Sequence, residues 1–573
     1  MLADASNRAT RQHWPSMWTA ATIAICTIVG CSGSARSAVY YVDYSEGADS
    51  ATGDRPDAPW KHAPGDRDAT GKAAAVALQP GDRVRFRGGV AYRGTLTLPA
   101  SGAPGRPIVF AGDEWGPQPA VFEGADLVQK IEPCASALAC GGAGNWQELS
   151  LVSYRPPPTS LIKFFDASGA LFESQYPEPK DPFFADDVTE YLATPPDQAA
   201  RIEQGELRSS SLAEALGGWP EGATLSIWTY GNQVARRPIT AISGDTISFL
   251  ANNLRLYKDR PGRVAVLNAI ALVNTPGEYA VVAPGLAVVQ LRQKNGALHI
   301  GNGRRAIDLG GQSNVVIRGF KFQHYTAAKY GEGVQITNSG KLSTDVDIQG
   351  NVFQNSSMYS GAGPIMIGRV NNATIRGNTF KNIERGSGIR TNLKPVSNLT
   401  IYGNHFDRVG KTGILVMGSS NVNIENNTLN NLYGIHGNGI SVYMDNRSVK
   451  VTGNRISNAS RPMTFHGEEP GTSPGDHNLI ISNNVFITNL LGSSALISYG
   501  KIRNARIDNN VLIAPKDGLL LSAKDSGVVV TNNATTGIAI KGNKPSDWVM
   551  KDNSSVTKAQ RKDAAALIPK PAS

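Results

Sequence analysis

A regularly spaced asparagine constrains this chain more than any other feature. From residue 314 onward the sequence keeps returning to a short alternating apolar run. Each run is closed by Asn and then, usually, by another apolar residue two places on. The copies are VVIRGFKF, DVDIQGNVF, NATIRGNTF, NLTIYGNHF, NVNIENNTL, SVKVTGNRI, NLIISNNVF, NARIDNNVL and GVVVTNNAT. The column reads Asn351, Asn378, Asn404, Asn427, Asn454, Asn484, Asn510 and Asn533, with Phe320 in the first copy and spacings of 23 to 30 residues. Between the runs lies a second strand per copy: GVQIT, PIMIG, GIRTN, GILVM, GISVYMD, PMTFH, ALISY and LLLSA. Period-2 alternation makes these segments strands. A unit this short cannot bury its apolar face alone, so the units must stack. The expectation is an all-β parallel β-helix, with the Asn column forming a hydrogen-bonded ladder along one turn. The period near six of a left-handed hexapeptide helix and the LxxLxL of leucine-rich repeats are both absent.

Composition agrees. Charged residues are 18%, with 61 Gly and 33 Pro among 573 residues, which excludes a long coiled coil. At 40% apolar the chain is not disordered. The net charge of +9 favours an anionic partner, an acidic glycan or anionic lipid. No Lys/Arg block or nucleic-acid motif accompanies it, so no nucleic-acid partner is expected.

Residues 1–30 read as an export signal: Arg8 and Arg11 precede the apolar stretch MWTAATIAICTIVG. The ending Ile28-Val29-Gly30-Cys31 resembles a bacterial lipoprotein signal, which would make Cys31 lipid-modified and the only membrane contact. The expected location is outer-membrane or periplasmic, or secreted if cleavage falls near Ala35. Cys134 and Cys140 are expected to form a local disulfide, as isolated pairs in exported proteins do. Residues 39–130 are read as a cap with the first coils, and 131–283 as a β-rich inserted module with a short helix around 197–216. Residues 284–554 follow as coils and 555–573 as a tail, in a monomeric protein. Trp146, Trp219, Trp228 and Tyr230 of the insertion are assigned to that module's own core, with sugar stacking as the other role.

The start YYVDYSEGADSATGDRPDAPWKHAP, followed by LQPGDRVRFRGGVAYRG, resembles the cap of secreted right-handed β-helix proteins that act on polysaccharides. With the Asn repeats the resemblance spans roughly 39–125 and 284–535. It implies a right-handed helix and a polysaccharide lyase, glycoside hydrolase or epimerase activity, without choosing among them. The WIDH segment of calcium-dependent pectate lyases, the NTD, DD, GHG and RIK series of polygalacturonases, and the DPHD of mannuronan epimerases are missing. No catalytic residue therefore carries over.

Alternation in the second-strand series turns Ile389, Ile414, Ile440 and Met463 inward, as well as Thr391, Val416, Val442 and Phe465. Arg390, Asn392, Ser441, Tyr443, Asp445, Thr464 and His466 then face out, with Tyr443 and His466 in one column on adjacent coils. Loops add Glu332, Glu384, Arg385, Lys411 and His436 before the strands, and Arg447, Glu468 and Glu469 after them. β-Elimination from a uronic acid needs a cation on the carboxylate, a base for the adjacent C–H and an acid for the leaving oxygen. Arg390 or Lys411 fits the first role, His466 or His436 the second and Tyr443 the third. Asn392, Ser441, Thr464 and Glu332 would contact substrate. Hydrolysis would instead use paired carboxylates, Asp445 with Glu468. A surface protein that only holds glycan is the third reading. No cofactor is expected, and no clustered carboxylate run supports a divalent metal.

Overall fold

The computed structural model describes residues 37–217, 221–329, 332–358, 361–391, 394–467 and 477–566. The chain winds as a solenoid with three parallel sheets. A coil around residue 400 illustrates it. Val396–Tyr402 lies in the first sheet, the chain turns at Asn404, His405–Val409 lies in the second sheet, and Ile414–Met417 lies in the third. Each strand pairs in parallel with its counterpart one coil on, as Leu399 does with Val422 and Ile440 with Met463. The sequence suggests two strands per coil. The third is the short segment after each Asn, which reads as the tail of the preceding run because only the two-residue turn at the Asn separates them.

The asparagines form a continuous buried ladder. The backbone N–H of Asn378 donates to Asn404 Oδ1 (2.9 Å), that of Asn404 to Asn427 Oδ1 (2.9 Å), and that of Asn427 to Asn454 Oδ1 (3.0 Å). Each Nδ2 also donates backwards: Asn404 Nδ2 reaches the Ile375 carbonyl at 2.9 Å. The ladder starts at the N–H of Phe320, which donates to Asn351, and runs on to Asn553. The residue before each Asn adopts a left-handed backbone, with Gly403 at φ 61° and Asn426 at φ 54°. Only Gly and Asn take this conformation cheaply, which explains the GN and NN pairs.

Two residues past the Asn, aromatic rings stack inside the second sheet. Neighbouring rings in the series Phe322, Phe353, Phe380 and Phe406 lie 4.5–4.9 Å apart, centre to centre, and nearly parallel. The inward columns of the third sheet, Ile389–Ile414–Ile440–Met463 and Val416–Val442–Phe465, complete one core running the length of the solenoid. Gly388, Gly413 and Gly439 start the third-sheet strands because a Cβ there would come within 2.4–2.6 Å of the neighbouring coil or core.

The cap begins with Val39–Val42 paired to Arg83–Phe86, which pairs with Ile108–Ala111. The Asp82 of PGDRV accepts the N–H groups of Ala38 and Gln79 and so closes this first turn. Ile108–Ala111 then pairs directly with Val315–Arg318, across the whole inserted segment. The insertion is therefore an excursion from the corner between second and third sheets of a single coil. It is wider at both ends than 131–283, because Ala125–Leu127 and His299–Gly301 pair antiparallel and close its neck. It holds antiparallel sheets, two short helices (Gln198–Gln204 and Ser210–Ala215), its own cores and the Cys134–Cys140 disulfide.

Asn404→Ala strands buried groups on both neighbouring coils and should lower stability by at least about 2 kcal/mol. Lys450→Ala, on the exposed face of the first sheet, should stay within about 0.5 kcal/mol. Urea unfolding midpoints of the two variants check this.

Candidate active site

The insertion folds back over the corner between the second and third sheets. Phe184 meets Tyr433 edge-on at 5.3 Å, and Arg408 bridges to Asp181 at 2.8 Å while lying over Phe183. Two adjoining cavities form beneath it. The inner one, about 480 Å³, is lined by Asp186, Tyr191 and Arg236 of the insertion and by Arg385, Lys411 and His436 of the coils. The outer one, about 560 Å³, is lined by Trp228, Tyr257, Arg260 and Arg263 facing Tyr443, Arg461 and Tyr499. Asn232, Ile435 and His436 border both.

A buried charge network joins the insertion to the coils at the inner cavity. Lys163 Nζ lies 2.5 Å from Glu384 Oε2, with both side chains nearly inaccessible. Glu173 Oε2 lies 2.6 Å from Arg236 and 3.6 Å from Arg385, which lies 3.6 Å from Glu384. Burial pushes the Glu173 carboxyl up, but Arg236 and Arg385 outweigh it and hold the group at about 2. Asp186 is placed differently. Burial outweighs Arg385 and Lys411 and raises its carboxyl to about 6, and its Oδ1 is buried with no hydrogen-bond partner among the described residues.

The bases are shifted the other way. Burial, then Arg390, lowers the Lys411 ammonium to about 8. Burial, then Lys411 and Arg461, lowers His436 to about 4, so this imidazole is neutral at physiological pH. Burial raises the Tyr191 hydroxyl to about 12, and its oxygen lies 3.1 Å from Ser226 Oγ. Arg385 and His436 both hold left-handed backbones, φ 59° and 58°. Arg369, Arg408 and Lys501 hold the same conformation elsewhere in the coils, so it belongs to the turns of the solenoid.

The structure sorts the residues expected from sequence into separate places. Lys411 and His436 line the inner cavity, with Arg390 beside Lys411. Tyr443 and His466 are partners on adjacent coils, with ring centroids 6.0 Å apart, but Tyr443 lines the outer cavity. It is therefore not grouped with Lys411 around one reacting bond. Ser441 and Thr464 are buried and do not contact a groove. Their hydroxyls lie 2.8 Å apart and Asn438 Nδ2 donates to Ser441 Oγ, a closed polar cluster. Glu332 is engaged structurally, accepting from Thr159 Oγ1 and the Ala328 N–H. Asp445 lies 3.4 Å from Arg447 and lines neither cavity. Asn392, Glu468, Glu469, Trp219 and Cys31 lie outside the described residues.

Trp228 is half-buried and faces the outer cavity instead of a core, whereas Trp146 packs beside the disulfide. Asp186, Tyr191, Arg236 and Tyr257 went unrecognised in sequence, since nothing periodic marks them. Among the described residues no group of three or more His, Cys, Asp or Glu could hold a metal ion.

Residues 305–473 match the family model described as "Right handed beta helix region". The chain is a right-handed parallel β-helix. No curated protein matches it. Among solved structures it is similar to one titled "Glycoside hydrolase", at 12% identity over 92% of this chain and 98% of that one, with a TM-score of 0.53. A lacto-N-biosidase from Eubacterium ramulus is 11% identical over 90% of this chain and 68% of that one, with a TM-score of 0.39. An exopolygalacturonase from Thermotoga maritima is 11% identical over 44% of this chain and 72% of that one, with a TM-score of 0.31. At 12% identity the likeness to the first of these is one of fold.

Lys163→Met removes the nearer partner of the buried Glu384 and leaves it only Arg385 at 3.6 Å, and should cost about 3 kcal/mol. Adding Glu384→Leu should recover most of that loss. Thermal and urea unfolding of the two variants test this.

Proposed function

We propose that the protein is an exported carbohydrate-active enzyme that cleaves an acidic polysaccharide by β-elimination in the inner cavity. The observation that carries this reading is Lys411, a lysine held near 8 inside a cavity that also presents the guanidiniums of Arg236 and Arg385. Such a lysine is substantially neutral at mildly alkaline pH and can act as a base. The sugar carboxylate joins Glu173 and Glu384 around the guanidiniums of Arg236 and Arg385, whose remaining donors spread its charge and acidify the C–H next to it. Lys411 Nζ takes that proton, the bond to the glycosidic oxygen breaks, and a carbon–carbon double bond forms. The Tyr191 hydroxyl, protonated up to about 12, supplies the proton for the departing oxygen. Neutral His436 borders the cavity as a hydrogen-bonding wall and adds no competing charge. The likeness to a glycoside hydrolase over nearly the full length is compatible with glycan chemistry on this fold.

One observation favours a second reading. A carboxyl raised to about 6 by burial is the environment of the general acid of a hydrolase, and Asp186 has it. Elimination yields an unsaturated sugar together with each new reducing end, whereas hydrolysis yields reducing ends alone.

Incubated with a panel of acidic polysaccharides, the enzyme should produce ultraviolet-absorbing unsaturated ends and reducing ends in equal number. Lys411→Met should lower kcat at least about a hundredfold, in the range of general-base removal. Activity should rise with pH along a limb centred near 8, since only the deprotonated amine accepts the proton. Reducing ends without absorbance, lost in Asp186→Asn and kept in Lys411→Met, would establish hydrolysis instead.

Export by a lipoprotein route rests on the Ile28–Cys31 motif. Labelled palmitate should enter the chain in a bacterial host and fail to enter Cys31→Ser.

A further inference from the structure

The outer cavity is built for a charge of its own. Its insertion wall is an interlocked set of rings and guanidiniums. Arg260 lies 4.4 Å over the Tyr257 ring and 5.7 Å over Trp228, whose ring centroids are 4.9 Å apart. The hairpin tip holds both rings in place: Trp228 Nε1 donates to Asn232 Oδ1 at 2.9 Å, and the Asn232 N–H donates to the Tyr257 hydroxyl at 2.7 Å. Across the cavity stand Tyr443, Tyr499 and Arg461.

Three guanidiniums, those of Arg260, Arg263 and Arg461, line this space with one carboxylate, Asp187, and Arg260 is also paired with Asp259 at 2.8 Å, so one cation is in excess. Asp187 Oδ1 already accepts from the N–H and hydroxyl of Thr189. Flat apolar rings suit the C–H faces of a sugar, and guanidinium forks suit a carboxylate or a sulfate. A cavity for a neutral sugar would need the rings but not an excess of cations.

We propose that the outer cavity is a second subsite that binds an acidic sugar residue of the same chain whose neighbour occupies the inner cavity. The proposal rests on the reading of the protein as acting on acidic glycan and narrows it. The substrate then carries negative charge on successive or alternate residues, and at least two charged units are held at once. Asn232 and His436, bordering both cavities, mark the passage between the two units.

The test measures binding in the Lys411→Met background, so that cleavage does not consume the ligand. The probes are polygalacturonate, alginate, dextran sulfate and uncharged dextran, read by affinity electrophoresis. Adding Arg260→Gln with Arg461→Gln should weaken binding to an anionic probe about tenfold or more, as loss of charged hydrogen bonds does. Retention should also fall with salt. A carboxylate subsite favours polygalacturonate or alginate, and a sulfate subsite favours dextran sulfate. Arg260 is nearly half exposed, so its removal leaves the fold intact, and an unchanged thermal midpoint confirms it.

Unchanged affinity in the double variant overturns the subsite, even where Lys411 proves essential for cleavage. Equal retention on uncharged dextran, or no retention of any anionic probe, also overturns it. Arginine-dependent anion binding in an enzyme that keeps its activity in Lys411→Met sustains the subsite and removes the elimination reading instead.

Discussion

The structure depends on the asparagine ladder. A tight turn between two strands leaves backbone groups facing inward, where no water reaches them and an unpaired group costs about 1–3 kcal/mol. One Asn per coil resolves this by accepting from the coil before and donating to the coil behind, so each turn satisfies its neighbours. Asn side chains of identical length force the coils into register. Once the turn is in register, the Phe stack and the inward Ile and Val columns follow, because their offset from the Asn is constant. Phe320 begins the ladder, since its N–H needs an acceptor ahead of it but no side-chain amide behind it.

A scaffold held this tightly tolerates a long excursion at one corner. The insertion leaves and rejoins within a single coil, and its neck strands pair with each other, so the sheets continue past it undisturbed. Its contribution is to convert a ridged solenoid surface into two partly covered cavities. Burial of the side chains beneath it then sets the chemistry. The groups that depart most usefully from ordinary values, Asp186, Lys411 and His436, each do so first because they are buried, and neighbouring charges act second. The same side chains on an uncovered corner would be ordinary surface charges. The Lys163–Glu384 and Glu173–Arg385 pairs join the cover to the coils.

The sequence was informative about the site only along the repeat. Alternation correctly paired Tyr443 with His466 and turned both outward, since strand periodicity holds regardless of what lies above. It misjudged Ser441 and Thr464, which face outward but are covered, because periodicity gives direction and not accessibility. Lys411 and His436 were legible as polar loop residues of the repeat, yet their grouping with Asp186, Tyr191 and Arg236 was not. Those three lie in a segment with no periodicity, and they reach the coils across hundreds of residues of chain.

The sequence by itself determined the solenoid: strands by alternation, coils by the recurring Asn, and handedness through resemblance to known caps. These are local patterns repeated, and local physics suffices to read them. Only the tertiary structure decided where a substrate could lie, which carboxyl is raised and which lysine is lowered. Those properties come from burial between two parts of the chain, and burial is a relation among distant residues that no local pattern contains.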